Sequence, residues 1–384
     1  MLATPVAPVL PTDATAWRKR AHEFAERKIL PVAERIDRED RLPAELVSEL
    51  VGEGFLGLGI PRSWDGSGGD VRSTVAVLEE LSRASAAVGV LVAVHLSVCA
   101  APILRWGTDG QRERFLRPLA RGERIGAFGL TEPNAGSDTA GLRTRYSKVD
   151  GGFVLDGSKT FISNAVSAGV VLIFATRDPA LGHKGISAFI VPPGTEGFSV
   201  SQRFDKLGMR GSETAELVLR NVRLPSDSLL GLEGEGLHVA LGALQGGRVG
   251  IAGCALGVAE AAFAELVRSV EANDADWKRS LLARAFSDLA SARALVSRAA
   301  AAGDAGDADA TDASVAKLVA SRAAVQIAAA GVDVSGEDGL RAGSVAERLL
   351  RDARVFPIVE GTTEIQELIL ARSLLSSRSG RNPL

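Results

Sequence analysis

"GGFVLDGSKTFISN", residues 151–164, is the stretch that decides the predicted fold class. It is short, begins with a Gly-Gly pair, and is rich in the β-branched and aromatic residues that favour strands. Four stretches of the same kind surround it: "RIGAFGL" (124–130), "GVVLIFATR" (169–177), "KGISAFIVPP" (184–193) and "AELVLRNVRLP" (215–225). Because no helical pattern separates them, residues 123–230 are predicted to form an antiparallel, barrel-like β domain rather than βαβ units. No G-x-G-x-x-G follows a strand, so a Rossmann nucleotide site is not expected.

On both sides of this region the apolar residues recur every three or four positions, which predicts helices. In the first part of the chain they are predicted over 14–36, 43–55, 73–105 and 110–121, with a glycine-rich loop at 59–70. In the last part they are predicted over 235–271, 276–302, 313–329, 343–353 and 363–377. The low-complexity segment 302–314 is expected to be a mobile surface loop. The predicted architecture is α+β multidomain: an N-terminal α-helical domain (1–122), a middle β domain (123–230) and a C-terminal α-helical bundle (231–384).

The composition is that of a folded globular protein. Its 384 residues exceed the usual size of one domain, and 46% hydrophobic with 24% charged residues supply a sizeable core. A net charge of -3 with both signs mixed gives no electrostatic footprint for nucleic acid. Cys99 and Cys254 lie in apolar helical contexts and the four histidines are scattered, so neither a disulfide framework nor a metal site is expected.

The sequence also bears on location. The N-terminal stretch has no basic segment followed by an apolar run, so no secretory signal is expected. The most apolar stretch, "AAVGVLVAVHLSVCAAPILRW" (86–106), approaches the length of a membrane span. His95 and the many small residues favour a buried helix instead. We therefore expect a cytoplasmic protein that does not span a membrane.

Three segments at strand ends could contact a ligand. "GLTEPNAGSDTAG" (129–141) is crowded with turn-forming residues whose amides and hydroxyls could hold a polar ligand edge, or it could be an ordinary hairpin connection. In "KTFISNA" (159–165), Phe161 could stack on a ring and Ser163 could donate a hydrogen bond, although such residues more often belong to a core. In "DKLGMRGSETAELVL" (205–219), Arg210 could bind a ligand or pair with a nearby carboxylate.

A predicted helix over "LQGGRVGIAGCALGVAEAAF" (244–263) holds five glycines. Each interior glycine costs up to about 1 kcal/mol relative to alanine. Their number therefore indicates that another helix, a ligand or both pack closely against this helix. Arg248, on the same small-residue face, could reach a phosphate or a thioester oxygen.

"FPIVEGTTEIQELILAR" (356–372) places Glu360 between an apolar run and a helix that begins near Thr362–Thr363. Thr363 and Gln366 fit a capping box at that start. The helix N-terminus would lower the pKa of the Glu360 carboxyl, whereas burial beside Val359 and an apolar ligand would raise it. The sequence leaves both alternatives open.

Taken together, these segments resemble the acyl-CoA dehydrogenase family. "LTEPNAGSD", "KTFISNA", "DKLGMRGSETAELVL", "GGRVGIA" and "ERLLRDARVFPIVEGTTEIQELILAR" stand in the family's order and at its approximate spacing, and "IPRSWDGSGGD" is similar to its helical-domain glycine loop. The resemblance implies the helical–β–helical fold and an FAD enzyme that desaturates an acyl thioester between Cα and Cβ. Glu360 would abstract the α-proton, and flavin N5 would accept the β-hydride.

The resemblance also implies roles for individual residues. Those that would contact FAD are Phe128, Leu130, Thr131, Gly136 and Ser137 beside the flavin, Phe161 and Ser163 at the isoalloxazine ring, and Thr362 and Glu364 from the last domain. Those that would contact the substrate are Ser137 and Arg248 at its pantetheine or phosphate portion and Gly361 beside the acyl group. Some members carry the base on the long glycine-bearing helix, where this chain has Gly247, which leaves Glu360.

Two segments depart from the family pattern. The Arg-x-x-Phe-Gly stretch is missing from "VRSVEANDADWKRSLLARAF", and the Gln-x-x-Gly-Gly element is matched by "QIAAAGVDVSG", which keeps Gln326 but has Ala329 and Ala330 at the glycine positions. In the family both segments reach the FAD of a neighbouring subunit. Gln326 is still expected to contact FAD, and either a homodimer or a homotetramer is expected.

Members of the family that act on acyl groups held by a carrier protein in secondary metabolism look divergent in the same way. Acyl-CoA and acyl-carrier-protein thioesters are therefore both expected substrates. The electron acceptor would be a flavoprotein or oxygen. Two alternatives stay open: a thioester-binding homologue without oxidation chemistry, and a relative of the flavin monooxygenases and nitroalkane oxidases.

Overall fold

The computed structural model describes residues 12–307 and 309–379. Its first part is helical: α1 Thr12–Phe24, α2 Ala33–Glu39, α3 Ala44–Gly52, α4 Val71–Ala84, α5 Ala86–Ala93, α6 Ala101–Trp106, α7 Asp109–Gln111 and α8 Arg117–Ala120. A π-helical segment, Val94–Ala100, joins α5 to α6, so that Ala86–Trp106 forms one continuous helix. Its side chains are nearly all buried, because apolar residues occupy every face of it.

The middle part is one eight-stranded sheet. Its strands are β1 Ile125–Gly129, β2 Arg145–Val149, β3 Gly152–Ser163, β4 Ala168–Thr176, β5 Ile186–Val191, β6 Phe198–Arg203, β7 Thr214–Pro225 and β8 Leu229–Leu230. The order is β6-β7-β3-β2-β4-β5-β8, with β1 paired to β4. Most pairs of strands are antiparallel, as predicted. The exceptions are β1 and β2, which both run parallel to β4. The antiparallel β2–β3 hairpin lies between β1 and β4 in the chain.

Strand β4 shows where the core lies. Val170, Leu172 and Phe174 pack with residues of the helices, whereas Val171 and Ile173 pack with those of β3, β5 and β7. Because successive side chains of a strand point to opposite faces, both faces of β4 are covered. This explains its unbroken apolar sequence. Strands β2 and β6 carry no such signal, because most of their residues are exposed, and the sequence did not predict them.

The last part is helical again: α9 Gly236–Arg268, α10 Asp276–Ala305, α11 Ala310–Ser335, α12 Glu337–Leu340, α13 Val345–Ala353 and α14 Thr363–Ser379. The predicted helical–β–helical fold class is confirmed. The glycines of α9 let it approach α4 closely: a Cβ at Gly253 would lie 3.1 Å from Val75 Cγ1, and one at Gly257 would collide with the Glu79 carbonyl. Helix packing therefore accounts for these two glycines.

Two predicted boundaries were wrong. Segment 302–314 was expected to be a loop, but α10 extends to Ala305 and α11 begins at Ala310, with Asp309 as its N-cap. The connection is therefore short, and residue 308 lies outside the described residues. Helix α11 also runs six residues past its predicted end at 329. Alanine is the strongest helix former, and the alanine-rich sequence sustains both extensions.

Three helices of the described part are long and apolar enough to cross a membrane on length and composition alone: Ala86–Trp106, Gly236–Arg268 and Ala310–Ser335. In their most apolar windows 83%, 72% and 67% of the residues are buried within the protein itself. Their apolar surface is thus used in the helical core, as was expected for residues 86–106.

One junction ties the three parts together. Arg351 of α13 donates to both carboxylate oxygens of Asp37 in α2, at 2.8 and 2.7 Å. Arg210 donates from Nε to the Asp37 carbonyl at 2.8 Å and pairs with Asp205. Of the two alternatives for Arg210, the structure therefore favours pairing with a carboxylate. Asp352 accepts an amide hydrogen bond from the loop that carries Arg210, so the end of α13 is fixed to the β domain.

Candidate active site

The segment between α13 and α14 has an unusual backbone. Glu360 and Gly361 adopt φ angles of 55° and 95°. Glycine adopts positive φ at little cost, but for glutamate the left-handed region is strained, and such strain persists where surrounding contacts hold it and often marks functional sites. We call residues 354–362, which connect α13 to α14, the base segment.

Side chains from three helices hold the carbonyls of this pair. The Glu360 carbonyl accepts from Arg248 Nε of α9 and from Gln366 Nε2 of α14, each at 3.3 Å. The Gly361 carbonyl accepts from Lys317 Nζ of α11 at 2.8 Å and from Gln366 Nε2 at 2.9 Å. Four hydrogen bonds thus stabilise a backbone conformation that is unfavourable for glutamate on its own.

Arg248 was expected to contact the phosphate or pantetheine portion of the substrate. Its side chain is buried, 6% exposed, and donates from Nε to the Glu360 carbonyl. Arg248 therefore helps to position Glu360, and its contact with the substrate stays a prediction.

The Glu360 carboxylate is buried although the residue as a whole is half-buried. Its Oε2 is enclosed and has no hydrogen-bond partner among the described residues. It lies against Gly247 of α9, where an added Cβ would be 2.6 Å from Oε2. Gly247 therefore leaves the space that the carboxylate occupies, and it also allows close packing against Val98, whose Cγ1 would lie 3.0 Å from the added Cβ.

Burial raises the pKa of Glu360 from 4.5 to about 7, against the opposing charges of Arg248 and Lys317. This decides between the two alternatives that the sequence left open. The helix N-terminus does not lower the pKa of Glu360, because other groups cap it: Thr362 Oγ1 accepts from the Ile365 amide. The α14 N-terminus instead lowers the pKa of Glu364, chiefly through that residue's own amide.

The predicted capping box was therefore wrong in its residues. Thr362, and not Thr363, supplies the capping oxygen, and Thr363 Oγ1 donates to the Pro357 carbonyl. Gln366 reaches back to the carbonyls of Glu360 and Gly361 rather than to an amide of the first turn. Its role is to hold the base segment.

A second part of the site lies at the ends of β1 and β3. Lys159 is fully buried, and its Nζ is 2.6 Å from Glu132 Oε1. Glu132 also accepts from the amides of Arg143 and Thr144, so it closes the loop 129–141 onto β3. Sequence reasoning missed this pair. The glutamate in "LTEPN" and the lysine in "KTFISN" join the two segments that were predicted to contact FAD.

Phe161 is presented in a way that fits a flat ligand. Its side chain is 64% exposed and its φ is 58°, a rare conformation for an aromatic residue. Phe204 supports it from one side, with ring centroids 4.9 Å apart. The neighbouring Asn164 is buried and donates to the carbonyls of Leu91 and Gly126, which anchors the strand end. An exposed aromatic ring held by strained backbone and a second ring fits the isoalloxazine ring of FAD.

The remaining residues predicted to contact FAD lie on or beside the same loop. Thr131 and Ser163 are half-buried, Gly136 and Ser137 are exposed, and Leu130 is buried. Ser163 ends β3, and the other four residues follow β1. Phe128 is half-buried and packs edge-on against Phe174, with centroids 5.0 Å apart. Gly136 and Ser137 thus offer exposed polar groups and Thr131 is half-buried, whereas Phe128 and Leu130 could contribute mainly through their backbone.

Helix Ala86–Trp106 connects the two parts of the site. The Leu91 carbonyl accepts from Asn164, and Val98 packs beside Gly247, against which the Glu360 carboxylate lies. Leu91 and Val98 are seven positions apart, which corresponds to about 10 Å along a helix. The strand end with Phe161 and the base segment therefore both contact one continuous helix.

The Gln-x-x-Gly-Gly element was predicted to begin at Gln326. Gln326 is exposed in the middle of α11, and Ala329 and Ala330 continue that helix. The chain turns at Gly336, with φ 59°. Asp333 precedes this glycine by three residues, the spacing of glutamine and first glycine in the element. Asp333 and Gly336 are therefore a second candidate for its place, and the contact of Gln326 with FAD stays a prediction.

Replacing Phe161 by alanine is expected to weaken FAD binding about three- to tenfold, because a stacked aromatic pair contributes about 0.5–1.5 kcal/mol. Alanine also has a Cβ, so the strain of the left-handed backbone is left unchanged. The dissociation constant can be measured by titrating apoprotein and following flavin fluorescence. Val200→Ala, which shortens another exposed apolar side chain of the sheet, is the control. An unchanged constant for Phe161→Ala would remove Phe161 from the flavin site.

A sheet domain between two helical domains, an exposed ring support and a buried carboxylate with no partner among the described residues fit an FAD-dependent oxidoreductase acting on CH–CH bonds, the class to which the similar proteins below belong. The family models for the N-terminal, middle and C-terminal domains of acyl-CoA dehydrogenase match residues 11–123, 127–222 and 234–375. The chain belongs to the acyl-CoA dehydrogenase family.

Curated relatives agree over nearly the whole length. The chain is 41% identical over 373 residues to an acyl-CoA dehydrogenase of Bacillus subtilis, covering 94% of this chain and 98% of the relative. It is 40% identical over 363 residues to a short-chain specific acyl-CoA dehydrogenase of Clostridium acetobutylicum, covering 92% and 96%.

Solved structures agree as well. Butyryl-CoA dehydrogenase from Megasphaera elsdenii superposes with a TM-score of 0.93 at 37% identity, covering 96% of this chain and all of that one. A chain of a structure described as an electron transferring flavoprotein of Acidaminococcus fermentans gives 0.93 at 35% identity, covering 95% and 98%. A prolyl acyl carrier protein oxidase gives 0.90 at 28% identity, covering 95% and 99%.

Proposed function

We propose that this chain oxidises an acyl thioester between Cα and Cβ, with Glu360 as the base that removes the α-proton. The observation that supports this most directly is the buried Oε2 of Glu360, which has no hydrogen-bond partner among the described residues and is therefore available to a proton from a ligand. A base with a pKa of about 7 is well matched to proton transfer near neutral pH.

The protein residues of the proposed reaction have separate tasks. Glu360 holds the abstracted proton, and Arg248 and Gln366 keep its backbone in the left-handed conformation. FAD, when bound, supplies the acceptor for the hydride that leaves Cβ. Phe161 would support its ring, while Thr131, Gly136 and Ser137, together with Thr362 and Glu364 from the last domain, would hold the cofactor. Gly361, beside the base, would lie next to the acyl group.

Two carriers of the acyl group are proposed. The relatives at 40 and 41% identity are acyl-CoA dehydrogenases, which favours acyl-CoA. The similarity to a prolyl acyl carrier protein oxidase supports an acyl-carrier-protein substrate of secondary metabolism as the second candidate. Both share the thioester and the pantetheine arm, which Ser137 is proposed to contact.

The test is a substrate panel. The purified holoenzyme is mixed anaerobically with acyl-CoA thioesters of increasing chain length and with the same acyl groups on a carrier protein, and the flavin absorbance is followed. Bleaching together with an enoyl product supports the proposal and identifies the carrier. Absence of bleaching with every thioester contradicts it.

The wider setting is also proposed. The similarity to a chain in a structure of an electron transferring flavoprotein supports a flavoprotein as electron acceptor, with oxygen as the alternative. We further propose a cytoplasmic homodimer or homotetramer that needs neither nucleic acid nor a membrane.

The rate is expected to depend on pH through Glu360. Only the ionised carboxylate accepts a proton, and burial raises its pKa to about 7. The value of kcat/KM should therefore fall as pH is lowered through about 7, roughly tenfold for each unit below it. The measurement is kcat/KM from pH 5.5 to 9 with a nonionising acyl chain. A profile that stays flat down to pH 5.5 would contradict the raised pKa.

A further inference from the structure

Lys317 is a buried cation that the proposed reaction does not yet use. It lies on α11 with 0% of its surface exposed, and its Nζ donates to the Gly361 carbonyl at 2.8 Å. Lysine is almost never fully buried unless it is paired, because removing an ammonium group from water is costly. Lys317 lies next to the strained Glu360–Gly361 pair, so a role at the base segment would explain why the cost of burying its ammonium group is tolerated.

The hydrogen bond alone does not require a charge. The Gly361 carbonyl already accepts from Gln366 Nε2 at 2.9 Å, so a neutral donor would also satisfy it. What only an ammonium group adds is its charge. The charged groups that face Lys317 are Glu360, Glu364 and Arg248, and those that face Glu360 are Lys317, Arg248 and the titratable thiol of Cys254. Glu360 is the carboxylate of this cluster that is enclosed.

We propose that Lys317 is a positioning residue for the base: its ammonium group holds the Gly361 carbonyl and keeps the enclosed Glu360 carboxylate ionised enough to accept a proton. The proposal rests on Glu360 being the base. Without Lys317, the charge of Arg248 alone would oppose the rise in the Glu360 pKa that burial causes, and Glu360 would stay protonated at neutral pH.

The effect has a characteristic pH range. Burial lowers the pKa of Lys317 from 10.5 to about 8, so its charge is present below pH 8 and is lost above it. The Lys317 charge opposes the effect of burial on the pKa of Glu360, and a neighbouring opposite charge shifts a carboxyl pKa by about one unit or more. Removing Lys317 should therefore reduce kcat/KM about fivefold at pH 7, and the difference should vanish above about pH 9, where wild-type Lys317 is itself neutral.

Three variants separate the hydrogen bond from the charge. Lys317→Gln keeps a donor without the charge, Lys317→Met removes both, and Lys317→Arg keeps the charge. The matched control is Arg322→Gln, which removes a positive charge from an exposed position five residues further along α11. Each variant is first checked for bound FAD and for its melting temperature, so that the near-isosteric Lys317→Gln carries the test if Lys317→Met fails to fold.

The readout is the pH profile of kcat/KM and of α-proton exchange in deuterated water. The proposal is supported if the acid limb of the kcat/KM profile lies about one pH unit higher in Lys317→Gln and the rate recovers to the wild-type value at high pH. The acid limb of Arg322→Gln should stay where it is in wild type. A uniform loss at every pH, or an unchanged profile, overturns it. Glu360→Gln is run beside them: retained exchange in that variant would refute Glu360 as the base, which is a different result from an unmoved profile in Lys317→Gln.

Discussion

Glu360→Gln is expected to reduce kcat about 10³-fold or more while the protein keeps its FAD and its fold. Glutamine has the same shape, but its amide cannot accept the α-proton. General base catalysis by a positioned side chain contributes about 10²–10⁴-fold, and the Glu360 carboxylate is the group that lies nearest to Gly247. The measurement is steady-state turnover together with α-proton exchange into deuterated water.

The same variant should change how stability depends on pH. Glu360 has a pKa of about 7 in the folded protein and an ordinary value of 4.5. Between these values the folded protein binds a proton that the unfolded chain has released, so the cost of burying Glu360 is absent below pH 4.5 and complete above pH 7. Glutamine does not titrate. The melting temperature of Glu360→Gln relative to wild type should therefore rise from pH 5 to pH 8.

Glu367→Gln is the matched control. Glu367 is an exposed glutamate of α14 that pairs with Arg322, so this change should leave turnover, exchange and the pH dependence of melting as they are in wild type. Full exchange in Glu360→Gln would show that another group removes the proton, and a melting difference independent of pH would show that the carboxylate is not enclosed as the structure has it.

Much of the fold could be predicted from the sequence. The change from helical periodicity to short β-branched stretches marks the middle domain, because alternation and helical repeats bury apolar residues differently. The parallel pairing of β1 with β4 could not be predicted, since it depends on which strands meet in space. Strands β2 and β6 were missed because strands whose residues are mostly exposed carry no apolar pattern.

The position of the candidate base could be predicted from the sequence, but the direction of its pKa shift could not. The position of Glu360 follows from the motif around it, yet whether burial or the helix N-terminus governs its pKa depends on Gly247, which is 113 positions away in the chain (360 − 247). The burial of Lys317 could have been inferred from the sequence. It lies on the α11 face with Ala313, Ala316 and Ala320, where helical spacing places core residues, and a lysine at such a position indicates a buried partner.

Gly247 also allows the position of the base to be tested without touching its chemistry. Replacing Gly247 by alanine adds a Cβ that would lie 2.6 Å from Glu360 Oε2, 2.9 Å from its Cδ and 3.0 Å from Val98 Cγ1. The first two atoms are the end of a rotatable side chain, so the carboxylate can move away and the helix need not. The fold should survive while the base is displaced.

The expected result is a loss of about 100-fold in kcat/KM, since a displacement of about 1 Å in a catalytic group can cost that much. The melting temperature should change little, because alanine favours α9 by up to about 1 kcal/mol and offsets the crowding. Gly246→Ala is a matched control on the same helix: a Cβ there meets nothing within 4 Å, so it should keep full activity and melt at the same or a slightly higher temperature. If Gly247→Ala turns over as fast as Gly246→Ala, proton removal does not depend on the carboxylate held at this place, and Glu360 would have to act from another conformation or not at all.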